Sequence, residues 1–361
     1  MGIWPVFKSL ALVGLAEAGL IATVSQMVGH GLQLGFGVLG DRGWRKALLA
    51  AGVLGAGAVV FLPYVSGFPA WMALMLAAAM GSAAFHPSGA GTASALSARR
   101  TGVMTAVFLS GGYLGYAASQ LVFTATHRAT QGRTAVLFLI PLLISLALWR
   151  LPPQAPHHAR SLADWKRALA TQSRPLGALV VVQLCLSSTT QALVFLLPEL
   201  LLTRSVPSWV AHGGGHAAFV LGGCVALLPA GHARDRLGAR PVLVAVSLAA
   251  SVAYFHLLFG SSHAGIALLA LASFGALAGA ANVVSVAEGN RLLPGQGGAV
   301  SSLLMGIPWC LASLAPMIAG VLADPALGGS PQVGLAWVGL CAPCAVLASL
   351  LFRPRPVPGL A

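Results

Sequence analysis

Apolar residues in this chain fall in runs of about 20, separated by short basic or Gly/Pro-rich breaks, which is the pattern of membrane-spanning helices. Five runs come first, near residues 10–38, 47–65, 71–96, 103–126 and 135–148. Six follow, near residues 176–202, 217–229, 242–259, 264–289, 299–322 and 335–352, which makes eleven predicted spans. Between the two groups lies a polar stretch unlike any other in the chain, with Pro152, Pro153, His157, His158, Lys166 and Arg167. The pattern predicts a bundle over residues 1–150, a linker over 151–175 and a second bundle over 176–361. Backbone polar groups inside lipid must be satisfied within the segment, so the spans are expected as helices. The fold class that follows is an all-α polytopic membrane protein.

Composition agrees. Charged residues are 7% of the chain and hydrophobic residues 57%, too few charges to cover a soluble surface of this size. The net charge of +13 would suit a nucleic-acid binder, but its placement argues against one. Sixteen Lys and Arg fall in alternate breaks, and only Lys8, Arg128, Arg133 and Arg204 fall in the others. That bias is the positive-inside signature. It predicts a cytoplasmic linker and C-terminus in a bacterial inner membrane, and no nucleic-acid partner. No leader with a cleavage site is visible at the N-terminus. The five cysteines lie in apolar runs, and CxxC at Cys341 and Cys344 has no redox-fold context, so no disulfide framework is expected.

The chain carries an internal repeat, which is the first thing to seek in a long sequence. Residues 37–46 read GVLGDRGWRK and residues 231–240 read GHARDRLGAR, 194 residues apart. Each starts at a glycine (Gly37, Gly231). Asp41 and Asp235 stand four residues on, Arg42 and Arg236 follow them, and Lys46 and Arg240 close the stretches. Arg45 and Gly238 lie within the same stretches. Measured back from these two glycines, the first half is short by about 19 residues, close to one spanning helix. The sequence thus reads as two six-helix halves with the first helix missing and residues 1–9 as its outer stub, the N-terminus lying outside.

Polar residues inside a membrane are costly and tend to mark a cavity or pathway. Gln26, His30 and Gln33 are spaced four and three apart, on one helix face. Gln183, Ser187, Thr190 and Gln191 make a second stripe, and Asn282 and Ser285 share a face with Glu288 nearby. His86 stands mid-span beside Pro87, and an imidazole there could bind or relay a proton. The plainer reading of single Ser and Thr residues is hydrogen bonding between helices. Gly31, Gly35, Gly52, Gly111, Gly112 and Gly115 are expected to allow close helix packing. His212 and His216 flank three glycines in a predicted outer loop, but two ligands do not make a zinc site. No phosphate-binding loop, hydrolase triad or zinc-protease motif occurs, so neither an enzyme nor an ATP-driven pump is expected, and no cofactor or metal is called for.

Several of these stretches resemble a known family. The paired charged turns are similar to the loop signature of the major facilitator superfamily, repeated after the second helix of each six-helix half. Within it, Ala84 to Gly89 (AFHPSG), Ser110 to Gly115 (SGGYLG), Leu292 to Ser302 (LLPGQGGAVSS) and Gly320 to Asp324 (GVLAD) resemble the fosmidomycin-resistance exporters. Trp44 replaces the family's glycine, Ser119 and Gln120 its Gly-Pro, and Ser88 an acidic residue. The resemblance implies alternating access in a monomer, with a small organic solute or drug exported in exchange for protons. It also implies that the charged turns, an Asp among Arg side chains at a helix end, act as a conformational lock. A small-metabolite uptake carrier, or a truncated membrane protein that transports nothing, are the alternatives.

Overall fold

A computed structural model describes residues 14–95, 101–150, 170–204, 206–260, 263–293 and 302–353. The outer stub, residues 1–9, and residues 151–169 of the linker lie outside the described residues, and the last linker positions, from Ser173, already belong to a helix. The chain divides into two compact units, residues 1–159 and 160–361.

The first unit holds α1 (Leu15–Leu39) and α2 (Arg45–Gly57), which tightens into 3₁₀ turns over Ala58–Tyr64. Then come α3 (Phe68–Ala95), α4 (Thr101–Ala129) and α5 (Thr134–Trp149). The second unit holds α6 (Ser173–Leu202), α7 (Val210–Leu237), α8 (Ala239–Phe259), α9 (Ala264–Leu292), α10 (Leu303–Ala323) and α11 (Pro331–Leu351). Among the described residues, eight helical stretches are long and apolar enough to cross a membrane. The remaining three are α1, which carries Gln26, His30 and Gln33, the similarly polar α4, and the shorter α5. The result is an all-helical membrane fold.

Helix α3 is the hub of the first unit, packing on both α1 and α2. Its contact with α2 is a seam of glycines. A Cβ built on Gly81 would lie 2.2 Å from the Ala56 backbone nitrogen, and one on Gly52 would lie 2.8 Å from the Gly81 carbonyl oxygen. Buried hydroxyls then tie α5 to α2: Ser145 Oγ donates to the Ala50 carbonyl at 3.0 Å and Thr134 Oγ1 to that of Val60 at 2.6 Å. In the second unit the broadest contact is α7 on α9. There a Cβ on Gly275 would lie 1.8 Å from the Phe219 carbonyl oxygen, and one on Gly222 2.0 Å from that of Ala272. Where apolar side chains give no net drive for helices to associate in lipid, such small-residue seams let dispersion contacts do so.

The six glycines expected to permit close packing divide sharply. Only Gly52 does so; an added Cβ at Gly31, Gly35, Gly111, Gly112 or Gly115 would meet nothing within 4 Å. Two boundaries also move. Helix α7 runs through Pro229 to Leu237 instead of ending at the proline. His212 and His216, expected in a loop, sit at the helical entry to α7, where His212 Nδ1 bonds the Ser208 carbonyl at 2.7 Å and His216 is buried.

Candidate functional site

The repeated charged stretches are built as helix ends, each turned by one glycine. In the first, α1 runs on through Gly37 to Leu39, and the turn Gly40–Trp44 reverses at Gly43, whose φ is 101°. In the second, α7 carries Gly231, Asp235 and Arg236, and the chain breaks at Gly238, with φ 83°. A left-handed backbone favours glycine because a Cβ would clash. The glycine displaced by one place from the repeat register is therefore the residue that makes the turn, and Trp44 is free to follow it.

The last basic residue of each stretch reaches the final helix of its own unit. Lys46 Nζ stands 5.4 Å from the Trp149 ring centroid at the end of α5. Arg240 Nη2 donates to the Leu350 carbonyl at 2.9 Å at the end of α11. One contact is cation–π and the other a helix C-terminal hydrogen bond, and both stitch the charged turn to the last helix.

The two stretches differ at their fourth residue. Gly40 packs against Ser88, 3.5 Å from the Ser88 Oγ to a built Cβ, so the charged turn touches the His-Pro-Ser segment of α3. Its counterpart Arg234 instead reaches α9. Arg234 Nη2 meets Glu288 Oε2 at 2.8 Å, Arg234 Nη1 meets Asp235 Oδ1 at 2.8 Å, and Arg291 Nη2 meets Glu288 Oε1 at 2.5 Å. The Glu288 side chain is only 3% exposed, whereas Asp235 is 67% exposed. The buried carboxylate, gripped from both sides, is thus the centre of this cluster. Glu288, expected with the polar stripe of the span, belongs to the charged turn instead. The i,i+3 spacing of Glu288 and Arg291 was legible as a helix pair; Arg234 was not, because its register partner is a glycine. Arg45 is buried, Arg42 and Arg236 are exposed, and the side chain of Asp41 lies outside what is described.

The polar stripes fare differently in the two units. In the first, Gln33 Nε2 lies 3.5 Å from His30 Nδ1, and His30 is close enough to His86 on α3 for the two rings to interact electrostatically. His86 is exposed, packed edge-on to Phe85 with centroids 6.0 Å apart. Gln26 is half-buried, and its amide nitrogen meets no acceptor among the described residues. In the second unit the glutamines knit helices together. Gln183 Nε2 donates to the Asn282 carbonyl at 3.4 Å and Gln191 Nε2 to that of Trp309 at 3.0 Å, both from buried positions. Among the described residues no cluster of His, Cys, Asp or Glu could hold a metal ion.

Comparison with known proteins fits this architecture. The sequence profile of the Major Facilitator Superfamily matches residues 1–213. No curated protein matches the chain significantly. Among solved structures, a bacterial homolog of the human lysosomal transporter Spinster superposes in its inward-facing, occupied form with a TM-score of 0.79 at 14% identity, covering 99% of this chain and 94% of that one. Its unoccupied form gives 0.79 at 16%, with the same coverage. A mutant of the nucleoside transporter NupG gives 0.77 at 12%, covering 98% and 94%. At these identities the superpositions speak for the fold; the profile match covers more than half of the sequence, and the chain belongs to the Major Facilitator Superfamily.

Proposed function

We propose that this chain is a secondary active transporter that exports small organic molecules in exchange for protons by alternating access. The observation that carries the reading is the pair of imidazoles in the first unit. His86 stands exposed on a span, beside a proline, with His30 and Gln33 close by. An imidazole in contact with lipid is unfavourable, so an exposed one on a spanning helix is best accounted for by a hydrated path. An imidazole can both accept and release a proton, which suits a carrier of protons. Gln26, His30, Gln33 and His86 are the proposed cavity and coupling residues; Gln183, Gln191 and Asn282 are secondary, since packing already accounts for the first two.

The charged turns are the proposed conformational lock, comprising Gly37, Asp41, Arg42, Arg45 and Lys46, and Gly231, Asp235, Arg236, Gly238 and Arg240. Support comes from the second turn, where Asp235 and buried Glu288 share Arg234, an arrangement that side-chain rotation can break. The membrane is proposed as a bacterial inner membrane, with linker and C-terminus inside, on the strength of the basic-residue bias; a monomer is proposed from the family resemblance alone.

Inverted vesicles test the reading. An inward-acid pH gradient is expected to drive accumulation of the exported solute, and collapsing it is expected to stop that. His86→Ala is expected to abolish the response to the gradient while solute exchange persists. If neither gradient nor collapse changed the uptake of any solute in a broad panel, proton exchange would be lost. Full coupling in the His86 variant would remove that residue from the mechanism. Gradient-driven accumulation in right-side-out vesicles would favour an uptake carrier.

A further inference from the structure

One face of the second unit carries an open groove that neither the charged turn nor the polar stripe uses. Between α8 and α9 it encloses about 710 Å³, with walls that are apolar apart from His256 and Ser273. Leu248, Val252 and Leu269 stand 53%, 63% and 69% exposed along it. A second hollow of about 460 Å³ lies where Arg240, Pro241 and Val244 of α8 meet Leu350 of α11. Ala245 lines both, so they form one track along α8. From Arg240 to His256 the track follows 16 residues of helix, about 24 Å at the α-helical rise. That is most of a hydrocarbon core of roughly 30 Å.

The two ends of the track are chemically unlike. Arg240 stands at one, exposed, with a single donor spent on the Leu350 carbonyl at 2.9 Å. The rest of its planar fork is available to an anion. Arg353, also exposed, follows Leu350 by three residues. No carboxylate lines either hollow, and the nearby Asp235 is already engaged by Arg234.

We infer that this track binds an anionic phospholipid, its headgroup phosphate on Arg240 and Arg353 and an acyl chain along Ala245, Leu248 and Val252. A guanidinium fork matches phosphate oxygens in pairs, and basic hollows between helices at a membrane face favour anionic headgroups. A zwitterionic lipid would bring its own cation against the same arginines. The apolar length supplies the rest, because a chain lying in a concave track keeps protein on more than one side. Since Arg240 also holds the end of α11, a bound phosphate would sit on the contact that fastens α11 to the charged turn.

Native mass spectrometry of the full chain, released from detergent with added phosphatidylglycerol or phosphatidylcholine, tests this. One phosphatidylglycerol is expected to remain bound under activation that strips phosphatidylcholine. Arg240→Gln and Arg353→Gln are each expected to weaken retention roughly fivefold, the factor for one basic residue at an anionic surface. Arg353→Gln leaves the Leu350 contact intact, so its loss of lipid cannot come from a loosened α11. Ala245→Trp, which fills the joint of the track with both arginines in place, is expected to abolish retention. Leu228→Trp, at an exposed position on α7 outside the track, is expected to change nothing. Equal retention of the two lipids, or unchanged phosphatidylglycerol retention in Ala245→Trp, would overturn the proposal.

Discussion

Glu288 shows how one residue can change meaning between sequence and structure. As a carboxylate in an apolar run it reads as part of a solute path, because intramembrane charge is costly. Its side chain is 3% exposed, but two guanidiniums, 18% and 32% exposed, neutralise it. Removing one partner of a buried pair is more damaging than never having had the pair, since the remaining charge is left uncompensated. Glu288→Gln is therefore expected to destabilise the protein by about 2 kcal/mol, below the figure for a fully buried pair because both arginines retain some solvent. A thermal melt of the purified protein measures this. Asp235→Asn, at a 67% exposed site, is expected to cost well under 1 kcal/mol. Equal losses in the two variants would show that Glu288 is not the centre of the cluster.

Helices were legible from their apolar runs, but their ends and contacts were less so. Hydropathy measures lipid thickness, whereas a helix continues for as long as its backbone bonds do. For that reason α7 passes Pro229 and carries Arg234, Asp235 and Arg236 beyond the apolar run. The His-Pro segment and the first charged turn could be located by motif, yet their meeting at Gly40 and Ser88 depends on how α1 and α3 cross. Glycines make the same point. Sequence spacing offers every glycine as a packing position, and only the crossing of helices decides which ones have a neighbour. Gly275→Ala is expected to cost about 1–3 kcal/mol or more, because its methyl would meet a backbone carbonyl that cannot rotate away. Gly35→Ala and Gly115→Ala meet nothing and are expected to be neutral or slightly stabilising, since alanine favours helix. Melting temperatures of the three variants separate these outcomes, and a loss for Gly115→Ala as large as for Gly275→Ala would contradict the assigned seams.

At the scale of the whole molecule, the two units repeat a device more faithfully than they repeat residues. Each turns at one left-handed glycine, Gly43 or Gly238, and each sends its closing basic residue to its own last helix, onto Trp149 or Leu350. The chemistry of the two contacts differs while their position is kept. That is what a duplicated fold requires if the contact fastens the bundle and does not read a ligand. The same basic residues also bear on orientation. Lys and Arg resist transfer across the membrane, so both charged turns, the linker with Arg160, Lys166 and Arg167, and Arg353 should share the cytoplasmic side. Trypsin added to inverted vesicles is expected to cut within the linker and leave two fragments of about half the chain each. Right-side-out vesicles are expected to protect the linker until the membrane is opened. Cleavage of the linker in sealed right-side-out vesicles would reverse the orientation, and the charged turns would then face the outside.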